Sequence, residues 1–105
     1  MRVWNKREQN IPSGAVYVGR PSEWGNPFEI GKHGTRADVI RKYRSWLWQS
    51  IEAGEITLEG LAALAGKDLM CWCAPLPCHA DVLEKAARWA MNELAQSEHD
   101  RKFDV

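Results

Sequence analysis

The stretch Asp68-Leu69-Met70-Cys71-Trp72-Cys73-Ala74-Pro75-Leu76-Pro77-Cys78-His79 decides how this chain is read. Asp68–Cys73 has the composition of a strand, with no polar residue after Asp68. Alternation would put Leu69, Cys71 and Cys73 on one face and Met70 and Trp72 on the other. A strand apolar on both faces belongs in the middle of a sheet that helices cover. Pro75 and Pro77 then mark a loop and a helix start, because proline suits the first turn of a helix. The last helix is expected from about Cys78 to Gln96, with Val82, Leu83, Ala86, Trp89, Ala90 and Leu94 inward.

Upstream, Arg2–Lys6 reads as a short first strand and Gln9–Gly14 as a turn. Ala15–Arg20 is expected to be a strand, since Val16, Tyr17 and Val18 favour extended backbone and Gly19 ends the run. Pro21–Lys32 is irregular, broken by Pro21, Gly25, Pro27 and Gly31. Thr35 with Asp38 three residues on forms a capping-box pattern. A helix is expected from there to about Ala53, its buried face marked by Val39, Ile40, Tyr43, Leu47 and Ile51, with Arg41, Arg44 and Gln49 solvated. Thr57 starts a short second helix with Leu58, Leu61 and Leu64 inward and Gly66 as its C-cap.

The order strand, strand, helix, helix, strand, helix predicts an α/β fold. A right-handed crossover makes the strands at Val16 and Leu69 parallel. The expected architecture is a small three-layer Rossmann-like sandwich with a short, mostly parallel sheet and about three helices. Residues 1–96 form one domain, and 97–105 form a polar tail. In such sheets ligands bind beyond the carboxyl ends of the strands. Both unusual loops, Gly19–Phe28 and Ala74–Cys78, leave from those ends, which joins them into one expected site.

Composition bounds the rest. The 105 residues suffice for one domain. The formal net charge is zero but uneven. Residues 1–44 hold nine Lys/Arg against four Asp/Glu, and residues 45–105 hold five against ten. An anionic ligand would therefore meet the N-terminal half, unless the two halves simply pair with each other. The three cysteines lie within eight residues, which is no secreted disulfide framework, so reduced thiols and a cytoplasmic location are expected. Met1–Asn10 does not read as a signal peptide. No apolar run approaches the roughly 18–20 residues of a membrane span.

The Gly19–Phe28 loop gathers a guanidinium (Arg20), a hydroxyl (Ser22), an indole (Trp24) and an amide (Asn26). Arg20 suits a phosphate or carboxylate, Trp24 or Phe28 could stack on a base, and Asn26 could hold a polar edge or cap the turn itself. The alternative is a loop packed by its own Trp and Phe.

For the Cys71–His79 segment three readings stay open. The N–H groups near Cys78, His79 and Ala80 could bind an anion at the helix N-terminus, in competition with Asp81. Cys78 could be a nucleophile with His79 as base. Cys71, Cys73, Cys78 and His79 could hold zinc, though adjacent Cys-His rarely reaches one ion and no paired C-x-x-C is present. Buried structural cysteines are the bland counterpart of all three. The absence of G-x-x-x-x-G-K-[ST] and G-x-G-x-x-G disfavours standard nucleotide folds. The absence of H-x-E with P-C-x-x-C argues against a zinc deaminase. The helix cations Arg36, Arg41, Lys42 and Arg44 read as a solvated face before they read as phosphate contacts.

Val16-Tyr17-Val18-Gly19-Arg20-Pro21-Ser22 followed by Trp24-Gly25-Asn26-Pro27-Phe28, paired with Gly66–His79, resembles the family of short bacterial and phage proteins numbered as domain of unknown function four-three-two-six. The Gly34-Thr35-Arg36 helix start and Asp81-Val82-Leu83 match as well, so the resemblance spans about residues 15–90. It implies a shared site at Arg20, Ser22, Trp24, Asn26, Cys71, Cys73, Cys78 and His79, and brings no activity with it. A weaker similarity links the chain to a second uncharacterised α/β family, in which Arg20 replaces a His and Ala80 an Arg.

The expectation is thus a small domain binding a phosphate-bearing small molecule or nucleic acid. Arg20, Ser22, Trp24, Asn26, Cys73 and Ala80 would contact the ligand, and Cys78 with His79 would be the reactive pair if the domain is an enzyme. No cofactor is assigned beyond the zinc alternative. Two rivals stand beside it: a zinc- or redox-responsive cysteine module, and a phage or host protein-interaction module whose exposed tryptophans meet a protein partner. No membrane association is expected.

Overall fold

The computed structural model describes residues 2–73 and 76–103, the last seven of these as helical backbone only. Its elements run β1 (Val3–Asn5), β2 (Val16–Tyr17), α1 (Arg36–Glu52), α2 (Leu58–Ala62), β3 (Leu69–Cys71) and α3 (His79–Phe103). The α/β class, the three helices and the parallel sheet are as the sequence predicts. The three strands lie in the order β1-β3-β2, both pairings parallel. The strand read as central is therefore central. Val3 and Val16 flank Leu69, and Trp4 and Tyr17 flank Met70.

The elements form for the expected local reasons, with shifted ends. The α1 cap is a full capping box: the Asp38 N–H donates to Thr35 Oγ1, and the Thr35 N–H donates to Asp38 Oδ2 at 2.9 Å. Gly34 precedes it at φ 132°, and a Cβ there would lie 2.6 Å from the Cβ of Asp38, so the entry to the helix needs glycine. Thr57 caps α2 through the Gly60 N–H, but α2 ends at Ala62 with Ala63 as its cap. Gly66, expected to be that cap, instead supplies a positive φ of 78° in the turn that leads into β3.

Both long strand readings shorten. β2 covers two residues, although the Val18 N–H still donates to the Met70 carbonyl at 2.9 Å. β3 ends at Cys71, because the chain bends at Trp72 and Cys73. Conversely, α3 begins at His79 rather than Cys78 and continues past Gln96 to Phe103, so residues 97–103, expected as tail, are helical. Ala74 and Pro75 of the expected loop, and residues 104–105 of the expected tail, lie outside the described residues.

The core sits under one face of the sheet. Val18, Leu69 and Cys71 are buried there with Tyr43 and Leu47 of α1, Leu61 of α2, and Ala80, Leu83, Ala87 and Ala90 of α3. α3 packs against β3, α1 and α2, so it is the element every other layer shares. The two-sided burial expected of β3 is not what forms. Its second face carries Met70, only half-buried, and beyond it Trp72, which is 50% exposed. No helix among the described residues is long and apolar enough to cross a membrane.

Candidate thiol site beside an open pocket

Three chain segments meet at the carboxyl ends of the strands. β3 delivers Cys71, the turn after it Cys73, and the entry to α3 Cys78, just before the helix, and His79, its first residue. The sulfur atoms of Cys71, Cys73 and Cys78 all lie within 4.8 Å of one another. Cys71 and Cys78 are buried and Cys73 is half-buried. No disulfide joins them. The three thiols, His79, Arg20 and Asn26 line an open cavity of about 320 Å³ together with Tyr17, Phe28, Arg36 and Trp72.

His79 is held from two directions. Its Nε2 lies 2.7 Å from the Val18 carbonyl oxygen and its Nδ1 3.4 Å from Cys78 Sγ. A carbonyl only accepts, so Nε2 carries the proton, and in the neutral ring Nδ1 is left as an acceptor facing Cys78. The ring also meets Tyr43 edge-on at 5.0 Å. Tyr43 in turn donates its buried hydroxyl to the Trp24 carbonyl at 2.8 Å, and burial together with the neighbouring Cys78 pushes its ionisation up. With both nitrogens engaged, His79 does not join the sulfur cluster as a fourth ligand. The expected Cys-Cys-Cys-His set reduces to three sulfurs.

Cys71 and Cys78 shift each other's ionisation in opposite directions. The Cys78 side chain holds the Cys71 thiol well below its ordinary range, against the effect of its burial, with help from His79. The neighbouring Cys71, and then burial, push Cys78 up, while the Ala80 N–H partly opposes this by donating to its sulfur at 3.4 Å. The cluster thus favours a thiolate on Cys71, and a cation that binds all three sulfurs must displace the protons that remain.

The residues expected to touch a ligand divide. Arg20 lines the cavity and pairs with Glu29 at 3.3 Å, both side chains being more than half exposed. Asn26 lines it too, but its amide already caps the loop, donating to the Val39 carbonyl at 3.1 Å and accepting the Phe28 N–H at 2.9 Å. Cys73 is the most accessible sulfur. Trp24 does not stack on anything in the cavity: it is 9% exposed and belongs to the core. Ser22 lies off the cavity wall, its buried hydroxyl without a partner among the described residues. Ala80 is fully buried and its N–H is taken by Cys78 Sγ, so it does not reach a ligand. The helix N-terminus is likewise closed from within, since the Cys78 N–H donates to Asp81 Oδ2 at 2.9 Å and the Asp81 N–H to the Cys78 carbonyl at 3.0 Å.

Sequence reasoning missed three wall residues. Arg36, expected first on a solvated helix face, lines the cavity, and its guanidinium donates to the Pro77 carbonyl at 3.2 Å. Its position in the first turn of α1, one residue after the cap, was the available signal. Tyr17 and Trp72, expected as strand residues, also line the cavity, where the Trp72 indole donates to Tyr17 Oη at 3.1 Å. Tyr17 Oη in turn donates to the Arg20 carbonyl at 2.7 Å. Gly19 is what allows this, because a Cβ there would lie 2.5 Å from that hydroxyl oxygen.

This chain is a small α/β domain carrying a cysteine-lined pocket at its strand ends, and it belongs to the family described as a domain of unknown function, DUF4326, whose model matches residues 1–89. It is 36% identical over 83 residues to a phage T4 protein named as an uncharacterized 12.4 kDa protein in the nrdA-td intergenic region, an alignment that covers 78% of this chain and 72% of that protein. No solved structure matches the chain.

Proposed function

We propose that this domain holds a metal ion, zinc by its donor chemistry, on Cys71, Cys73 and Cys78, and that the ion faces a pocket for a phosphate-bearing ligand. The observation that carries the reading is the three sulfurs within 4.8 Å of one another on the wall of the 320 Å³ cavity. Tetrahedral zinc with Zn–S bonds of about 2.3 Å needs sulfurs roughly 3.8 Å apart, so a closure of about 1 Å would suffice. With three protein ligands the fourth position is left to the pocket, the pattern of sites at which zinc activates a bound water or polarises a ligand.

The chain's own groups support this arrangement. The Ala80 N–H on Cys78 Sγ stabilises that sulfur as a thiolate. His79, anchored by Val18, can take the Cys78 proton at Nδ1 when a metal enters. Arg20 and Arg36 stand at the mouth, where they would meet a phosphate of a nucleotide or a nucleic-acid end. The Arg20–Glu29 ion pair is exposed, so an anion can displace it at little cost.

The full chain should copurify with one zinc ion, retain it on gel filtration, and show thiolate-to-cobalt charge-transfer absorption after exchange. Cys73→Ser should lose the metal while its circular dichroism stays native. Folded protein that takes up neither zinc nor cobalt overturns the reading. For the ligand, a nucleotide at a hundredfold excess over Kd should add about 2.7 kcal/mol of stability, and Arg20→Ala should remove most of that gain.

A second reading rests on the Cys78–His79 contact. In metal-free protein the Nε2–H tautomer leaves Nδ1 of His79 placed to accept the Cys78 proton, against the upward push of Cys71 and burial on that thiol. Its mark would be iodoacetamide modification of Cys78 that slows in His79→Gln. Equal rates in the two proteins would remove it.

A further inference from the structure

We propose that the open face of the sheet is a platform for single-stranded nucleic acid. This inference goes beyond the metal reading and does not depend on it. One row across the three strands consists of Trp4, Met70 and Tyr17, which the parallel register places side by side on the face away from the core. A second row lies one step toward the strand ends, where Lys6 and Trp72 follow β1 and β3. Trp4, Met70 and Tyr17 are half-buried, whereas Leu69 on the opposite face is fully buried, and Trp72 is half exposed.

Cations cover these rings. The Lys6 ammonium lies 4.3 Å from the centre of the Tyr17 ring and 5.4 Å from that of Trp72. The guanidinium of Arg7 lies 5.5 Å from the Trp72 ring centre, and that of Arg2 lies 3.8 Å from the Trp4 ring centre. Glu8 is the acidic side chain beside them, and it pairs with Arg2. Among the described residues no acidic side chain forms an ion pair with Lys6 or Arg7. The face therefore joins exposed π surface to unneutralised positive charge. That is the combination that takes up unpaired bases by stacking and their phosphates by charge.

The occupant follows from both features together. A protein partner would call for an apolar patch with few charges at its centre, whereas cations lie directly over the rings here. A duplex hides its base faces and would leave the indole without a stacking partner. A single strand uses both: a base replaces Arg7 over Trp72, and Arg7 with Lys6 turns to the flanking phosphates. Trp72 and Tyr17 also wall the cavity, so a strand lying on the platform would bring one end to the pocket mouth.

Fluorescence anisotropy with labelled oligonucleotides of about 16 nucleotides tests this on the full chain. Oligo-thymidylate or oligo-uridylate should bind more tightly than a duplex of equal length, and the tighter of the two identifies the sugar class. Trp72→Ala should weaken binding by about tenfold or more, and Trp72→Phe should restore most of it. The Lys6→Glu, Arg7→Glu double variant should weaken binding and flatten its salt dependence. Arg88→Ala, which removes an exposed α3 cation paired with Glu84, should leave the affinity unchanged. The proposal is overturned by absence of binding, by a duplex bound equally well, or by a Trp72→Ala protein of normal melting temperature and wild-type affinity. Loss of binding in Cys73→Ser with Trp72 intact would also overturn it, by assigning the affinity to the pocket.

Discussion

The imidazole of His79, the first residue of α3, holds the carbonyl of Val18, just past the end of β2, at 2.7 Å. This bond spans 61 residues of sequence and ties the loop carrying Arg20 to the start of α3, next to Cys78. Val18 is fully buried, so no solvent substitutes for the ring. Replacing His79 by Ala leaves an unsatisfied buried carbonyl and should cost about 1–3 kcal/mol, read as a lower urea midpoint with an unchanged slope. An unaltered midpoint would show that the tie is dispensable.

Tyr43 sits at the next link, with its ring against His79 and its hydroxyl on the Trp24 carbonyl. Tyr43→Phe keeps the ring and strands that carbonyl, so a loss of about 1–3 kcal/mol is expected. Because Trp24 belongs to the same core cluster, a shift in tryptophan emission should accompany it.

The α1 cap makes a pH prediction. The Asp38 carboxyl is held below its ordinary value of 3.8, first by the Thr35 N–H and then by the Thr35 hydroxyl. A folded-state value below the unfolded one adds stability that is fully present above the unfolded value and disappears as pH falls through the folded one. The melting temperatures of wild type and Asp38→Asn should therefore differ at pH 6 and converge as the pH falls well below the ordinary carboxyl value of 3.8. A constant difference down to pH 2 would contradict this. Thr35→Ala, measured at neutral pH, should cost about 1 kcal/mol.

Gly19 provides the space that Tyr17 needs. Gly19→Ala drives a methyl group to 2.5 Å from Tyr17 Oη, which must then release the Arg20 carbonyl and the Trp72 indole. A destabilisation of about 1–3 kcal/mol and loss of any ligand-induced thermal shift should appear together. If only stability falls, Tyr17 does not shape the pocket.

Leu83 is fully buried in α3 at the centre of the core. Leu83→Ala should lose about 2–5 kcal/mol. In a domain of this size that is a large part of the total stability, to be read from the denaturant midpoint.

Much of this molecule follows from local chemistry. The capping box at Thr35 and Asp38 and the inward row Val39, Tyr43 and Leu47 rest on periodicity and short-range hydrogen bonding, which neighbours in sequence supply, whereas Leu69–Cys71 is central through its pairing with two distant strands although its second face is open. The joining of the two loops is legible as well, since parallel strands send their carboxyl ends to one edge. The particulars of the site arise otherwise. Whether Trp24 or Trp72 faces the cavity depends on which face of the sheet α3 covers, and both indoles look alike in composition. His79 is withdrawn from the sulfur cluster by a carbonyl 61 residues away, a competitor that no spacing within Cys71–His79 reveals. Arg36 reaches the cavity mouth because α1 is set down beside Pro77, although its neighbours Arg41 and Arg44 on the same helix remain in solvent. The sequence by itself determined the elements and the edge where they converge, because those depend on backbone hydrogen bonds and burial within short windows. Only the tertiary structure decided which side chains share the pocket, because that depends on long-range packing that leaves one face of the sheet open.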